Sequence, residues 1–440
     1  MALPPCQRAC SLAKGFVKRC TVLHPAHLPE QLHKALLMNR SRFTILCLAV
    51  LATAAAANAE SNLPVIELHA SQEIGSEQYV PCTVKMVSPK SIPDGNSELL
   101  PGKIRVRGAS SQGYDKKSFA LKLNDSTRWL GLQKDRDWVL NAAFVDCSMM
   151  RHKLSYDLFQ SLSTADAKRF AASSRFVEVN LNDRYHGVYL LMERVERSLL
   201  GLRRFDKNDT GHACIYKAVD HGADFRQQGH GAYEQHEPEP EDLEYWGPLD
   251  ELNKFVGQSP DRQFFDPKSG IASRVDVDYA IDFHLLLLLT SNMDGNDKNF
   301  VIARDAPTEA LPQPRFFFVP WDYDATFGRN WEGSPVEPRE WLSNHLFDRL
   351  LGNATYKQKY AARWKALRKQ QFSVETISRL IDDNAKTIGP AASRNERRWK
   401  QIDPRDPNQL TLARDVTQMK SWVAARTKWL DAELARRTGR

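Results

Sequence analysis

The chain has 440 residues, 42% hydrophobic and 26% charged, which excludes a disordered polymer and leaves room for one large domain or two or three ordinary ones. Its formal charge of +7 sits mostly at the start, because residues 1–59 hold seven Lys/Arg and one acid, Glu30, leaving +1 for residues 60–440. That near-neutral remainder excludes a basic nucleic-acid footprint.

Met38-Asn-Arg-Ser-Arg opens a positively charged segment, Phe43–Ala57 is apolar and Ala-rich, and Ala57-Asn58-Ala59 has the form of a small-residue cleavage site. Residues 38–59 therefore read as a secretory signal peptide, too short for a comfortable membrane span. Residues 1–37 would bury that signal, so they read as a non-native extension ahead of a start at Met38, with the mature chain beginning at Glu60. Export to the periplasm or the extracellular space follows, with no integral membrane span in the mature chain. Cys82, Cys147 and Cys214 would survive cleavage, enough for one disulfide and one thiol. With no C-x-x-C and no His-Glu-x-x-His, a zinc site is not expected.

Residues 60–244 read as a β-rich lobe. Val65–His69, Tyr79–Val87, Lys103–Gly108, Ser118–Leu123 and Trp138–Phe144 are β-friendly runs separated by turn residues. Cys147–Leu162 places Met150, Leu154, Leu158 and Phe159 on one helical face. Phe176–Leu181 and Val188–Met192 form a hairpin-like pair, Cys214–Val219 is a further strand, and His221–Glu244 reads as a long loop. Residues 245–440 read as an α-rich lobe. Leu249–Val256 is a short helix, and Asp276–Asn292 a strong one with acids in its first turn. Its run Leu285–Leu289 makes it apolar all round, hence buried. Trp341–Arg440 gives helical periods broken near Gly352, Gly389-Pro390 and Asp403-Pro404. His284 reads as a satisfied core histidine, Trp138, Trp321 and Trp331 as packing residues, and Lys217 as either a surface lysine or a nucleotide contact. The fold class is α+β with a cleft at the seam.

At that seam stands Ser291–Gly328. It opens with Asp294, Asn296, Asp297 and Asn299 and closes with Asp322 and Asp324 behind the aromatic run Phe316–Trp321. Carboxylates crowded in a partly buried site raise one another's pKa unless a cation lies between them. Hard cations such as Mg²⁺ take oxygen ligands, often one or two carboxylates plus substrate phosphates. Asp294 and Asn299 are spaced Asp-x-x-x-x-Asn, as in a protein-kinase catalytic loop. The plainer alternative is two polar turns with capping side chains. In the β-rich part, the strand ending at Arg107 runs into the small-residue loop Gly108–Gly113, followed by Lys116 and Lys117, a candidate phosphate clamp.

Six segments occur here in the order expected of one family: RVRGASSQGYDKKSFALKL, DWVLNAAFVDCSMMRHKLSYDL, EVNLNDRYHGVYLLMERVER, IYKA, LLLLTSNMDGNDKNF and VPWDYDATFG. Over about Lys103–Gly328 the chain resembles the CotH (spore-coat protein H) kinase family. The resemblance implies an atypical protein-kinase-like two-lobe fold and transfer of the ATP γ-phosphate to Ser/Thr of a secreted or coat protein, with Mg²⁺ or Mn²⁺. It implies that Asp294 is the catalytic-loop Asp, that Asn299 and Asp322 hold metal, and that Asp324 shares it. Lys116 or Lys117 would touch the phosphates, and Leu190–Glu193 would lie beside the adenine. Arg151 and Glu193 fit the family pattern as candidates to fix a nucleotide lysine. Two departures stand out: Ala109 where the family usually has Asn, and a Pro-rich excursion at Asp305–Pro314. The alternative function is a non-catalytic kinase-like module for binding or coat assembly, and a Ca²⁺-dependent surface protein is a third reading.

Overall fold

The protein is described by a computed structural model covering residues 62–92, 96–399 and 411–439. The leader and start-site readings lie outside these residues. Ser61–Arg440 forms a single compact unit.

Alternation of apolar residues builds the first layer. Strand β1 (Val65–Ala70) buries every second side chain, β2 (Val80–Val87) and β3 (Leu100–Arg107) alternate over part of their length, and β4 (Ser118–Thr127), β5 (Asp135–Asn141), β6 (Ser174–Leu181) and β7 (Arg184–Glu193) bury consecutive residues. They close into a barrel of order β1-β2-β3-β4-β5-β7-β6, sealed by parallel pairing of β1 with β6. Closure leaves no free strand edge. Ile66, Val84, Ile104, Leu121, Trp138, Val179 and Leu191 fill the interior, and Trp129 packs on Trp138 at 5.3 Å.

The wall made by β5, β6 and β7 is apolar on both faces. Val139, Phe176, Val188, Leu190 and Met192 point outward into a second core, shared with helix α1 (Arg151–Gln160) and the rest of the chain. After the short α2 (Arg197–Leu200), strands β8 (Cys214–Ala218) and β9 (Tyr233–Glu237) begin a second sheet. Helices α3 (Gly247–Gln258) and α4 (Asp261–Phe264) precede α5 (Val277–Thr290), in which every residue except Asp278 is buried. β10 (Phe300–Arg304) and β11 (Phe317–Pro320) complete the four-stranded sheet β11-β10-β8-β9. Four helices follow: α6 (His345–Gly352), α7 (Ala354–Leu367), α8 (Val374–Trp399) and α9 (Leu412–Thr438).

The α+β expectation holds, and most elements fall where the apolar period put them. Asp276 caps α5 by accepting from the Tyr279 amide, and His284 is satisfied by Tyr360 Oη and the Leu342 carbonyl, both at 2.9 Å. The buried Asp282 is held by Arg169 and Arg363. Two expectations need correction. His221–Glu244 is not all loop, because Tyr233–Glu237 pairs with β8 and Gln235 braces the turn beyond it, donating to the Pro238 and Leu243 carbonyls. α8 also runs unbroken through Gly389-Pro390. A mid-helix proline costs about 3 kcal/mol, and here packing against the barrel offsets it: Ile388, Ala391 and Ala392 are buried, and Asn395 Oδ1 accepts from the Val188 amide at 3.0 Å. Among the described residues Cys82, Cys147 and Cys214 are not joined in a disulfide, so the one bridge the sequence allowed is not formed. Among the described residues, no helix is long and apolar enough to cross a membrane.

Barrel and helix meet most closely at Gly187, whose φ is +120° and where a Cβ would lie 2.6 Å from Asn395 Oδ1 and 2.8 Å from Trp399 Nε1. Gly187→Ala is expected to cost about 2–4 kcal/mol, read as a lower urea midpoint at unchanged slope.

Candidate active site

One hairpin brings the two acidic turns together. α5 stops at Ser291, which turns left-handed at φ 54°. The buried Asn292 then donates to the Asp322 carbonyl at 3.1 Å, and the single turn Met293–Asn296 presents Asp294. β10 leaves from Asn299, whose amide donates to the Ala218 carbonyl. β11 returns antiparallel with Phe300 opposite Pro320, so Asn299 and Trp321 emerge at the same end of the pair. The Pro-rich excursion starts from the other end, beyond Ala303 opposite Phe317. It therefore hangs roughly 10–14 Å from the acidic turns, and its length does not disturb them. Asn299 and Asp322 both adopt left-handed backbone, φ 55° and 59°. Asn and Asp tolerate that region at some cost, and such strain gathers at functional sites.

Asp294, Asn299, Asp322 and Asp324 line one cavity of about 40 Å³, with Asn292, Met293, Ala325, Asn330 and Trp331 completing the wall. That is room for a cation and a few waters; a nucleotide would extend outside it. Asp322 sits deep among protein atoms yet presents an exposed side chain to the cleft, whereas Asp324 is half-buried. Burial raises the Asp322 carboxyl pKa, the Arg107 and Lys217 charges lower it, and Asp294 raises it again. Burial, Asp322 and Asp146 push Asp324 well above the usual carboxylate range. Asp294 is paired with Lys298 at 3.0 Å, and Asp297 is drawn aside to His221 at 2.8 Å. Asn296 braces the loop against Ser343 and Asn344.

These donors fit a hard divalent cation. Among the described residues, no Lys or Arg lies within ion-pair distance of Asp322 or Asp324, and the Asn299 carboxamide makes no hydrogen bond. Carboxylates left without a cationic partner, beside a carboxamide free to coordinate, are what a cation requires. The three carboxylates do not form a tight preassembled cage. Among the described residues, only Asp135, Asp137 and Glu196 bring three such oxygens within 4.8 Å, and Arg194 and Lys122 already neutralise Asp137 there.

The remaining expected residues lie elsewhere. Lys116 is buried and donates to the Ala142 and Val188 carbonyls beneath the Tyr189 ring, with burial lowering its pKa to about 7. Lys117 donates to the Gln112 and Tyr114 carbonyls. Each ammonium thus gives two of its three hydrogens to backbone carbonyls. Glu193 accepts from the Gln133 and Ser173 amides, at 2.8 and 2.9 Å, and fixes no lysine. Arg151 pairs with Asp146 and with Asp415, and its Nε donates to the Thr326 carbonyl at 2.9 Å. It braces the segment after Asp324 rather than a nucleotide contact. Tyr114, stacked on Phe144 at 5.2 Å, has its pKa raised by burial and by the Asp324 charge. Sequence reasoning misread one cavity residue: Trp331 is 48% exposed on the cavity wall. Trp331 is thus not a packing residue. Its only sequence signal was an aromatic three residues past the Gly328 turn. Trp138 is fully buried as expected, and Lys217 lies over the Trp321 ring at 4.9 Å.

Asp324 gives a test that needs no activity. Its raised pKa means the metal-free folded state holds the proton more tightly than the unfolded chain. Its stability contribution is therefore intact below the ordinary Asp range, near pH 4, and is lost as pH rises through the raised value. Asp324→Asn is expected to raise the metal-free melting temperature at pH 7–8 by a few degrees and to flatten its decline above pH 4. Thermal scans across pH check this.

Residues 104–430 match the family described as CotH kinase protein. That span reaches past the acidic turns through α8 and most of α9, so the helical part belongs to the same unit of descent. The chain is also 28% identical over 343 residues to the inner spore coat protein H of Bacillus subtilis (strain 168), covering 73% of this chain and 86% of that protein. With the acidic cavity sitting where the matched region folds together, the chain belongs to the CotH kinase protein family.

Proposed function

We propose that this protein is an atypical protein kinase that transfers the ATP γ-phosphoryl group to a Ser/Thr hydroxyl of a secreted or surface protein. The observation that carries this reading is the meeting of Asp294, Asn299, Asp322 and Asp324 around one cavity from turns almost thirty residues apart. In this reading the barrel stands where a kinase N-lobe would, the helical part is the C-lobe, and residues 38–59 direct export.

Asn299 and Asp322 would hold Mg²⁺ or Mn²⁺, with Asp324 alongside. The bound cation supplies charge neutralisation at the phosphate oxygens. Asp294 accepts the proton of the acceptor hydroxyl as the O–P bond forms and the bond to the ADP oxygen breaks. Lys298, 3.0 Å from Asp294, holds that carboxylate in place for the task. Trp331 offers an exposed face beside the reacting groups, for the base or the acceptor chain to cover. Most of the rate then comes from positioning and fixed charge.

A second reading draws on the relative's name, which is that of a coat protein: a module that binds partners during assembly without transferring phosphate. The strained, unpaired donors favour catalysis, since a binder gains nothing from holding them. Asp294→Ala is expected to abolish transfer from γ-labelled ATP while keeping the thermal shift produced by ATP with Mn²⁺. Asp322→Ala is expected to lose both. A wild-type chain that shifts with ATP and Mn²⁺ but labels no protein would favour the assembly module.

A further inference from the structure

The acidic wall of the cavity is accounted for, but Trp331 is not. It stands on a turn braced from within and from α9. Arg329 is buried and donates to the Gly333 carbonyl at 2.8 Å. Asn330 Oδ1 accepts from the Glu332 and Ser334 amides at 3.0 and 2.8 Å, and the Asn330 amide donates to the Ser334 carbonyl. Gln418 and Trp422 of α9 hold the two ends, donating to the Gly328 and Val336 carbonyls at 3.4 and 2.9 Å. Only the indole is left over. Among the described residues it is the one exposed tryptophan, its ring stacks on no aromatic or cationic side chain, and its Nε1 makes no hydrogen bond. An indole in water forgoes the burial its large apolar area would give, and the braced turn keeps it from folding away.

We propose that Trp331 is the acceptor-side contact of the site, its ring taking an apolar side chain next to the Ser/Thr that receives the phosphoryl group; this rests on the phosphotransferase reading. Position decides between nucleotide and acceptor. Trp331 lines the same cavity of about 40 Å³ as Asp294, Asn299, Asp322 and Asp324, where cation and transferring phosphoryl group would meet. The nucleobase is separated from that phosphorus by two further phosphates and a ribose, whereas the acceptor hydroxyl must touch it.

A polypeptide acceptor also has a path. Arg329 lines a second depression, a groove of about 540 Å³ shared with Arg414, Thr417, Gln418 and Ser421 of α9, a volume in the ordinary range of ligand clefts. Arg329, Asn330 and Trp331 thus form the wall between groove and cavity. An extended chain lying in the groove crosses that wall at Trp331 on its way to Asp294. The charges around the ring favour an apolar neighbour over a basic one. In this reading the cavity carboxylates are taken by the cation, and the groove adds Arg329 and Arg414. Glu332 is exposed, and an ion pair in water contributes little.

The test gives the full chain γ-labelled ATP, Mn²⁺ and short peptides with a central Ser and every other position randomised, and the labelled peptides are sequenced. Wild type is expected to enrich apolar and aromatic residues beside the Ser by about 3- to 10-fold. Trp331→Phe should keep most of that preference. Trp331→Ala should flatten it, and should raise the KM for the peptide mixture more than the Kd for ATP with Mn²⁺ read by calorimetric titration. A merely structural role would not move a sequence preference. An even neighbour profile from wild type, a preference for Lys or Arg in its place, or a preference that survives Trp331→Ala overturns the assignment and leaves the kinase reading intact. An equal or greater loss of ATP affinity in Trp331→Ala puts the ring on the nucleotide and overturns it too. A wild-type chain that binds ATP with Mn²⁺ but labels no peptide overturns the assignment alone, and one that binds no ATP overturns the kinase reading with it.

Discussion

The buried ion pair of Arg151 with Asp415 is the contact on which the rest of this architecture depends. Both guanidinium nitrogens meet the two Asp415 oxygens at 2.7 Å, Asp146 closes the other side, and Nε takes the Thr326 carbonyl. One side chain thus joins α1, the first turn of α9 and the loop that carries Asp322 and Asp324. Desolvating these charges is expensive, and full bidentate pairing is what makes the arrangement tolerable. Its value lies in specificity, because any displacement of α9 would leave a buried aspartate facing an unshared arginine.

The cleft works by the opposite rule. Structural acids of this protein are matched: Asp282 has two arginines, Asp137 has Arg194 and Lys122, and Asp415 has Arg151. At the cavity Asp322 and Asp324 are left unmatched, on a backbone held left-handed at Asn299 and Asp322. Leaving these two neighbouring carboxylates without a cationic partner concentrates electrostatic demand at one place. Under the function proposed above, a divalent cation held by Asn299 and Asp322 would answer that demand.

The barrel contributes position. Its β5–β7 wall is apolar on both faces, so the same strands fill the barrel and floor the second core, and α8 is clamped against that wall through Gly187 and Asn395. The turn after β3 is thereby fixed relative to the hairpin of β10 and β11, although the two lie almost two hundred residues apart in the chain. The Pro-rich excursion is accommodated because it leaves the far end of that hairpin.

The sequence by itself determined the elements and the chemistry of the acidic turns. β-friendly runs bounded by turn residues marked most of the barrel strands, the Leu285–Leu289 run marked the buried helix, and Asp-x-x-x-x-Asn with the later Asp-x-Asp marked the oxygen donors. These signals are local, since each depends on residues a few positions apart. Tertiary structure decided which charges meet. Lys116 and Lys117 read as phosphate ligands because they follow a small-residue loop, yet the turn before β4 buries one against the Ala142 and Val188 carbonyls and folds the other onto its own carbonyls. Trp331 carries no local mark and reaches the cavity wall only through the path of its loop. α8 passes through Pro390 because burial against the barrel outweighs a local preference. Side-chain pairing across long separations depends on barrel closure and helix docking, and those are properties of the packed chain rather than of any short stretch within it.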